Sequence, residues 1–287
     1  MINLSNKDLI FKTLKNKIIN GSRQLLVYNL AGLFKLNLIV EYPKSGGTWL
    51  GQLISSYFDI PFPRNRMPVL RRSVVHGHFL PMDRIKNAEK IFFMVRDGRD
   101  IMVSMYYHFL VWNEKNKLQP KDILYYRKKL EFKDYTDIRK NLPEFMEFVF
   151  TDKPSKLTRF RHEGNWVEFN NGWLDFIDDH SENTIITRYE SLLEDTEKEL
   201  ARILTVYGIK DPDKNRIKIV VKKFSFENQA KRKQGIENSK SFLRKGISGD
   251  WKDKFSKEAG EVFSHYANDM LIRLGYEKNS GWVNDID

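Results

Sequence analysis

Three short stretches of the chain carry residues able to grip phosphate or sulfate. The first is Glu41-Tyr42-Pro43-Lys44-Ser45-Gly46-Gly47-Thr48-Trp49, entered by the apolar run Leu36-Asn37-Leu38-Ile39-Val40 and left by a helical pattern through Trp49, Leu50, Leu53, Ile54, Tyr57 and Phe58. The leading amides of a helix lack internal partners and sit at the positive end of its dipole, so a loop that turns them inward holds an anion. Lys44 adds charge, the Ser45 and Thr48 hydroxyls add donors, and Gly46 and Gly47 let the backbone approach closely. A Walker A loop places its lysine after the glycines; here Lys44 precedes them, which sets this loop apart from the common nucleotide loop. The second stretch is Arg96-Asp97-Gly98-Arg99-Asp100, with Ser104 on the helix that follows. A guanidinium and a hydroxyl so placed can bridge a phosphate, whereas pairing of Arg96 with Asp97 or Asp100 would make it a helix-capping feature. The third, Phe242-Leu243-Arg244-Lys245-Gly246-Ile247-Ser248-Gly249-Asp250-Trp251, is too polar and glycine-rich for a core element. Its adjacent Arg244 and Lys245 suit a doubly charged phosphate.

Val74-Val75-His76-Gly77-His78-Phe79 reads as a short strand whose carboxyl end carries polar groups, the edge at which open α/β sheets bind ligands. Histidines at i and i+2 can ligate zinc, yet no third ligand stands near them in sequence, so no metal is expected. His108, within an aromatic helix, reads as packed.

The elements that must position these residues alternate in type. Lys90-Ile91-Phe92-Phe93-Met94-Val95 has the near-continuous apolar character of a parallel strand covered on both faces, and Asn183-Thr184-Ile185-Ile186-Thr187 reads as another, ending at Arg188-Tyr189-Glu190. Helices are predicted from Ile101 to Phe109, after Asn165, from Glu194 to Tyr207 with Gly208 as its stop, through Ile217 to Val221, and from Lys257 to Leu274. Residues 1–35 form a basic amphipathic segment, which packs on its own domain or touches an anionic membrane surface. Residues 112–161, with Lys115, Lys117, Lys121 and Arg127 among tyrosines, are charged and irregular and read as a substrate-facing insertion or solvated helices.

The 287 residues fit one α/β domain, 1–287, with a central, mostly parallel sheet flanked by helices. A formal net charge of +11 calls for an anionic partner: nucleic acid, lipid head groups or a small polyanion. The absence of cysteine excludes disulfides, a thiolate nucleophile and thiolate-held metals. With no run of 18 apolar residues and no signal-peptide core, a cytoplasmic protein is expected.

Tyr-Pro-Lys-Ser-Gly-Gly-Thr-Trp, Val-Arg-Asp-Gly-Arg-Asp followed by Ser104, and Arg-Lys-Gly-Ile-Ser-Gly-Asp-Trp-Lys, in that order, resemble the cytosolic-type sulfotransferases that use 3′-phosphoadenosine 5′-phosphosulfate, over about Leu38 to Tyr276. The resemblance implies a three-layer P-loop-like α/β fold. It implies that Lys44, Ser45, Gly46, Gly47, Thr48 and Trp49 hold the 5′-phosphosulfate, with Trp49 against adenine, and that Arg96, Ser104, Arg244, Lys245 and Gly246 hold the 3′-phosphate. Tyr189, Ser225 and Phe226 match the family's residues beside the base, and His78 matches its catalytic histidine. Histidine suits the removal of a hydroxyl proton near neutrality, and Lys44 suits charge developing on the transferring group. The implied reaction moves a sulfuryl group to a hydroxyl, less readily an amine, with adenosine 3′,5′-bisphosphate as product and no metal.

The chain departs from the family's usual pattern at Gly47, where most members carry a hydroxyl residue, and at His76-Gly77-His78, where the family writes lysine, serine or threonine, then histidine. The acceptor reads as a small alcohol, phenol, glycan or glycolipid, and Phe79, Tyr106, Tyr107 and Phe109 as an aromatic pocket for it. Rival readings are a P-loop kinase, disfavoured by the lysine position and by the lack of an acidic magnesium group after a strand, and a nucleic-acid binder, disfavoured because the cations sit in strand–turn–helix contexts. No nucleic-acid partner is therefore expected, and oligomeric state is left open.

Overall fold

The computed structural model describes residues 6–112, 120–152, 164–239 and 241–287. Four strands, β1 (Asn37–Glu41), β2 (Val74–Gly77), β3 (Lys90–Val95) and β4 (Thr184–Arg188), form one parallel sheet in the order β2-β1-β3-β4. Side chains alternate across each strand, so each strand feeds two cores. Ile39, Phe92, Met94 and Ile185 pack under α2 (Gly47–Phe58) and two later helices through Leu50, Leu53, Leu200, Ile203 and Ile217. Leu38, Val40, Ile91, Phe93 and Val95 face the larger core on the other side, with Met102, Phe169, Trp173 and Phe263. Covering on both faces explains why the strands are apolar without alternation. The predicted three-layer, parallel-sheet architecture is the observed one.

Several helix ends follow from single residues. Asp97 accepts the Arg99 amide at 2.9 Å to start α3 (Gly98–Tyr106), which runs on as one π-helical turn, Tyr107–Trp112. Asn165 and Glu168 close a capping box on the helix Trp166–Asp179. Gly208, in a left-handed conformation with φ 118°, ends the helix Thr196–Tyr207.

Residues 112–161 differ from the irregular stretch expected of them. Their described part contains the helices Pro120–Lys129 and Ile138–Thr151, and Leu142, Phe145 and Met146 of the second are fully buried. The apolar positions were masked in the sequence by the charges on its outer face. Lys115, Lys117 and the stretch 153–163 lie outside the described residues. Tyr106 and Phe109 are core residues too, not pocket lining: Tyr106 packs edge-on to Phe145 and Phe109 stacks on Tyr126.

The first helix, α1 (Asn6–Leu30), buries Leu26 and Val27 and straps the end of β2. Arg23 donates to the His76 carbonyl, and the Tyr28 hydroxyl accepts from the Leu80 amide at 3.0 Å. Leu14, Ile18 and Leu25, at helical spacing, remain exposed.

Phe145→Ala should lower unfolding free energy by about 3–5 kcal/mol, the range for a buried aromatic truncated to alanine. The exposed Lys140→Ala should change it by less than about 0.5 kcal/mol. Urea titration compares the two, and equal small effects would show that this helix is not part of the core.

Candidate active site

Parallel strands send all four carboxyl ends to one edge, and β1 lies between β2 and β3, where the chain's direction of travel across the sheet reverses. Such a switch point opens a crevice between successive loops. Here β1 runs into the Tyr42–Gly46 loop, β2 into His78, β3 into Arg96 and β4 into Tyr189.

Two residues of the first loop, Lys44 with φ 78° and Gly46 with φ 100°, adopt left-handed backbone. For a lysine this costs roughly 1–3 kcal/mol, strain of a kind that gathers at functional sites. The Tyr42 carbonyl accepts from the Ser45 amide at 3.2 Å and from its hydroxyl at 2.9 Å, so Ser45 spends its donor on closing the turn. Gly46 lies against Tyr189, where a Cβ would come within 2.7 Å of the ring. The Lys44 ammonium sits 4.3 Å from the centroid of Phe242. Burial, followed by the charge of Arg96, lowers its pKa to about 8.

Arg96 joins the loops. It donates to the Lys44 carbonyl at 3.0 Å and the Ile247 carbonyl at 3.4 Å, lies 3.7 Å from Asp100, and stacks 4.2 Å over Tyr189. Trp49 meets Tyr189 edge-on, with ring centroids 6.2 Å apart. Arg96 Nε and Trp49 Nε1 are buried with no hydrogen-bond partner among the described residues. Unspent donors beside a concentration of cations are chemistry suited to an anion.

The late loop is fastened to α3 by Asp100, which accepts the Gly249 amide at 2.7 Å and the Trp251 amide at 3.0 Å. Arg244 and Lys245 both reach Asp250 at 2.5 Å, and Arg244 also reaches Glu237 at 2.6 Å. Internal carboxylates thus already pair both cations. Gly246, at φ 71°, lies so close to Phe226 that a Cβ would come within 2.4 Å of the ring. The Ser225 hydroxyl accepts the Asn228 amide at 3.2 Å and caps the short helix Phe226–Ala230. Thr48 is half-buried in the first turn of α2, and Ser104 lies half-buried on α3, one turn beyond Asp100. The structure thus brings Lys44, Trp49, Arg96, Tyr189, Phe226 and Arg244 to Gly246 around one crevice. It gives Ser45 and Ser225 scaffold hydrogen bonds.

His78 follows β2 at the same carboxyl edge of the sheet. Its Nδ1 lies 2.8 Å from the Glu41 carbonyl, which can only accept, so Nδ1 carries the proton and the lone pair belongs to Nε2. Burial, offset in part by the Glu41 charge, lowers its pKa to about 4. The ring is therefore a neutral base at physiological pH. His108 is held to about 2 by burial and then by Lys44, in keeping with a packed role.

Glu41 is the residue of this candidate site that sequence reasoning missed. Its carboxylate accepts from His76 Nε2 at 2.7 Å and from the Gly47 amide. Burial alone would raise its pKa; the hydrogen bond and charge of His76 outweigh that and hold it below the ordinary value. An ionisable residue ending an otherwise apolar strand was the available signal. Glu41 also explains Gly47: a Cβ there would lie 2.8 Å from Glu41 Cδ and 2.9 Å from His76 Cδ2. The Gly47 amide, expected to face an anionic ligand, faces the chain's own carboxylate instead. The expectation that no third ligand accompanies the two histidines fails for the same reason: parallel pairing of β1 with β2 supplies Glu41 from 35 residues away.

Gly47→Ala should destabilise the protein by about 1–3 kcal/mol, the usual cost of an inserted methyl in a packed site. In a Glu41→Ala background that cost should largely vanish, a coupling that a double-mutant cycle measured by urea unfolding resolves. Additive effects would mean that the glycine is not there to accommodate Glu41.

The chain matches the sulfotransferase domain family over residues 61–275. It is 25% identical to a 3-beta-hydroxysteroid sulfotransferase of Cavia porcellus over 79% of this chain and 80% of that protein. It is 22% identical to human sulfotransferase 2A1, over 84% and 85%. Among solved structures, mouse sulfotransferase SULT7A1 complexed with PAP superimposes with a TM-score of 0.57 at 19% identity, covering 89% of this chain and 91% of that one. A retinol dehydratase in a complex with retinol and PAP gives 0.58 at 17%, covering 89% and 86%. With three quarters of its length matched by the family and the same fold in both structures, the chain belongs to the sulfotransferases.

Proposed function

We propose that this sulfotransferase moves the sulfuryl group in-line from 3′-phosphoadenosine 5′-phosphosulfate to a hydroxyl on a small lipophilic acceptor, releasing adenosine 3′,5′-bisphosphate. The observation that carries this reading is the pairing of a neutral histidine, its lone pair on Nε2, with a crevice of cations whose buried Arg96 Nε and Trp49 Nε1 lack partners. When bound, the nucleotide supplies an activated sulfuryl group on a phosphate leaving group.

The chain's own residues take the remaining roles. His78 Nε2 removes the acceptor's hydroxyl proton as the new oxygen–sulfur bond forms and the bond to the bridging oxygen breaks. Lys44, still mostly protonated at neutral pH, neutralises charge collecting on that oxygen. Thr48 and the first amides of α2 hold the 5′-phosphate, less the Gly47 amide that Glu41 takes. Arg96, Ser104, Arg244, Lys245 and Gly246 receive the 3′-phosphate. Trp49, Tyr189 and Phe226 flank the base. Hydroxysteroid and retinol in the names of the relatives and solved structures favour a lipophilic alcohol over a glycan. The exposed Leu14, Ile18 and Leu25 of α1, beside Lys15 and Lys17, support peripheral contact with an anionic membrane through which such an acceptor arrives.

His78→Ala should cut turnover by roughly 100-fold or more while leaving adenosine 3′,5′-bisphosphate affinity nearly unchanged. Turnover assays with labelled donor across sterols, phenols and sugars, together with calorimetric titration, measure both; parallel losses of binding and turnover would remove His78 from the chemistry. Arg244→Ala should weaken the bisphosphate by about 10- to 100-fold, the worth of one charged hydrogen bond, and adenosine 5′-monophosphate much less. Equal losses for both nucleotides would refute a 3′-phosphate role.

A further inference from the structure

Strand parity and register assemble a group of ligands that the proposed reaction does not require. Ile39 and Val74 share the face covered by α2, and Glu41 and His76 follow each of them by two residues, so both project to that face. One ligand atom from each of Glu41, His76 and His78 lies within 4.8 Å of the other two, with Glu41 buried and both histidines half-buried. The two imidazoles stand nearly perpendicular with centroids 5.7 Å apart. Two imidazoles on one tetrahedral zinc place their centroids roughly 5 Å apart, given metal–nitrogen bonds of about 2.0–2.1 Å.

The surroundings hold each ligand in place. Glu41 is oriented by the Gly47 amide, His78 by the Glu41 carbonyl and the β2 backbone at His76 by Arg23. Partners of this kind tune metal ligands. The missing side chain at Gly47 leaves the carboxylate and imidazole their space. Two imidazoles and a carboxylate with a fourth position open to solvent or an anion are a donor set for zinc and neighbouring divalent ions. Lys44 and Arg96 oppose a cation here, which limits affinity, and coordination displaces the proton that His76 Nε2 shares with Glu41.

We propose that Glu41, His76 and His78 form a binding site for a divalent transition-metal ion, zinc foremost, and that its occupancy silences sulfuryl transfer by engaging His78. The inhibitory part rests on the reading of His78 as base; the site itself does not.

The test uses the full chain freed of metal by chelator dialysis. Zinc is titrated against a chromophoric chelator, and cobalt(II) is followed by its visible absorption, for the wild type and for the near-isosteric His76→Gln and Glu41→Gln, each checked for native circular dichroism. One equivalent should bind, with the cobalt spectrum of a four-coordinate nitrogen–oxygen site. Each variant should bind roughly 100-fold more weakly, since losing a ligand exceeds the 10- to 100-fold typical of losing a ligand's partner. Equal affinity in all three proteins, or no cobalt spectrum, overturns the site. In the assay, zinc should stop turnover and chelator restore it. Zinc that binds without slowing an otherwise active enzyme overturns the inhibition, and a zinc-free enzyme with no sulfuryl transfer overturns the reading of function while leaving the binding result intact.

Discussion

A buried guanidinium organises this site. Arg96 emerges from the central sheet into a place where a lone charge would cost several kcal/mol, so its surroundings must supply partners from every side. They come from four separate segments: the Lys44 carbonyl of the first loop, Asp100 of α3, the Ile247 carbonyl of the late loop and the Tyr189 ring after β4. Satisfying one charge therefore fixes the relative positions of the loops that must act together. Asp100 carries the constraint further, because the same carboxylate takes the Gly249 and Trp251 amides and holds the late loop down. Arg99, one residue away, faces the opposite direction and ties α3 to Asp97, Glu277 and the rings of Trp251 and Trp282.

A second constraint runs across β1 and β2. In this chain Glu41, Gly47 and His76 are intelligible only together: the carboxylate needs the imidazole and the amide, and the amide is reachable because residue 47 has no side chain. The hydroxyl absent from Gly47 is thus not simply a lost contact to a ligand. It is exchanged for an internal anion at the start of α2, where the helix dipole stabilises negative charge. The same backbone strand end presents its carbonyl to His78, so one residue, Glu41, orders both histidines.

Much of this was legible in the sequence because it was local. Apolar runs leading to Lys44, His78, Arg96 and Tyr189 were readable as strands whose ends meet at one edge of a sheet, and the covered sheet follows from runs such as Ile91 to Val95 having no polar face. What was not legible depends on pairing between strands or on burial of an amphipathic helix. Glu41 is adjacent to His76 only through parallel register, which no spacing in the chain announces. Phe145 and Met146 were hidden among charges because those charges line the outer face of their helix. Ser45 looked like a ligand donor by type, yet local turn geometry spends its hydroxyl proton on the Tyr42 carbonyl, and the Ser225 hydroxyl, matched only by resemblance, accepts a cap hydrogen bond.

The internal carboxylates also set where the site is strongest. Arg96, Arg244 and Lys245 each have an acidic partner within 4 Å, so on the proposed reading a phosphate would bind them by exchange of one anion for another. Such an arrangement would hold a ground state without overbinding it. Lys44 differs: among the described residues no carboxylate lies within salt-bridge distance, its ammonium rests on Phe242, and burial already disfavours its charge. A cation compensated only by the more distant Glu41 charge would gain most from negative charge that appears only during reaction, as catalysis by differential stabilisation requires. On the proposed reading, this gradient of compensation, from paired cations around Arg244 and Lys245 to a lysine with no salt bridge among the described residues, would give the site a direction: anchoring at one end, chemistry at the other.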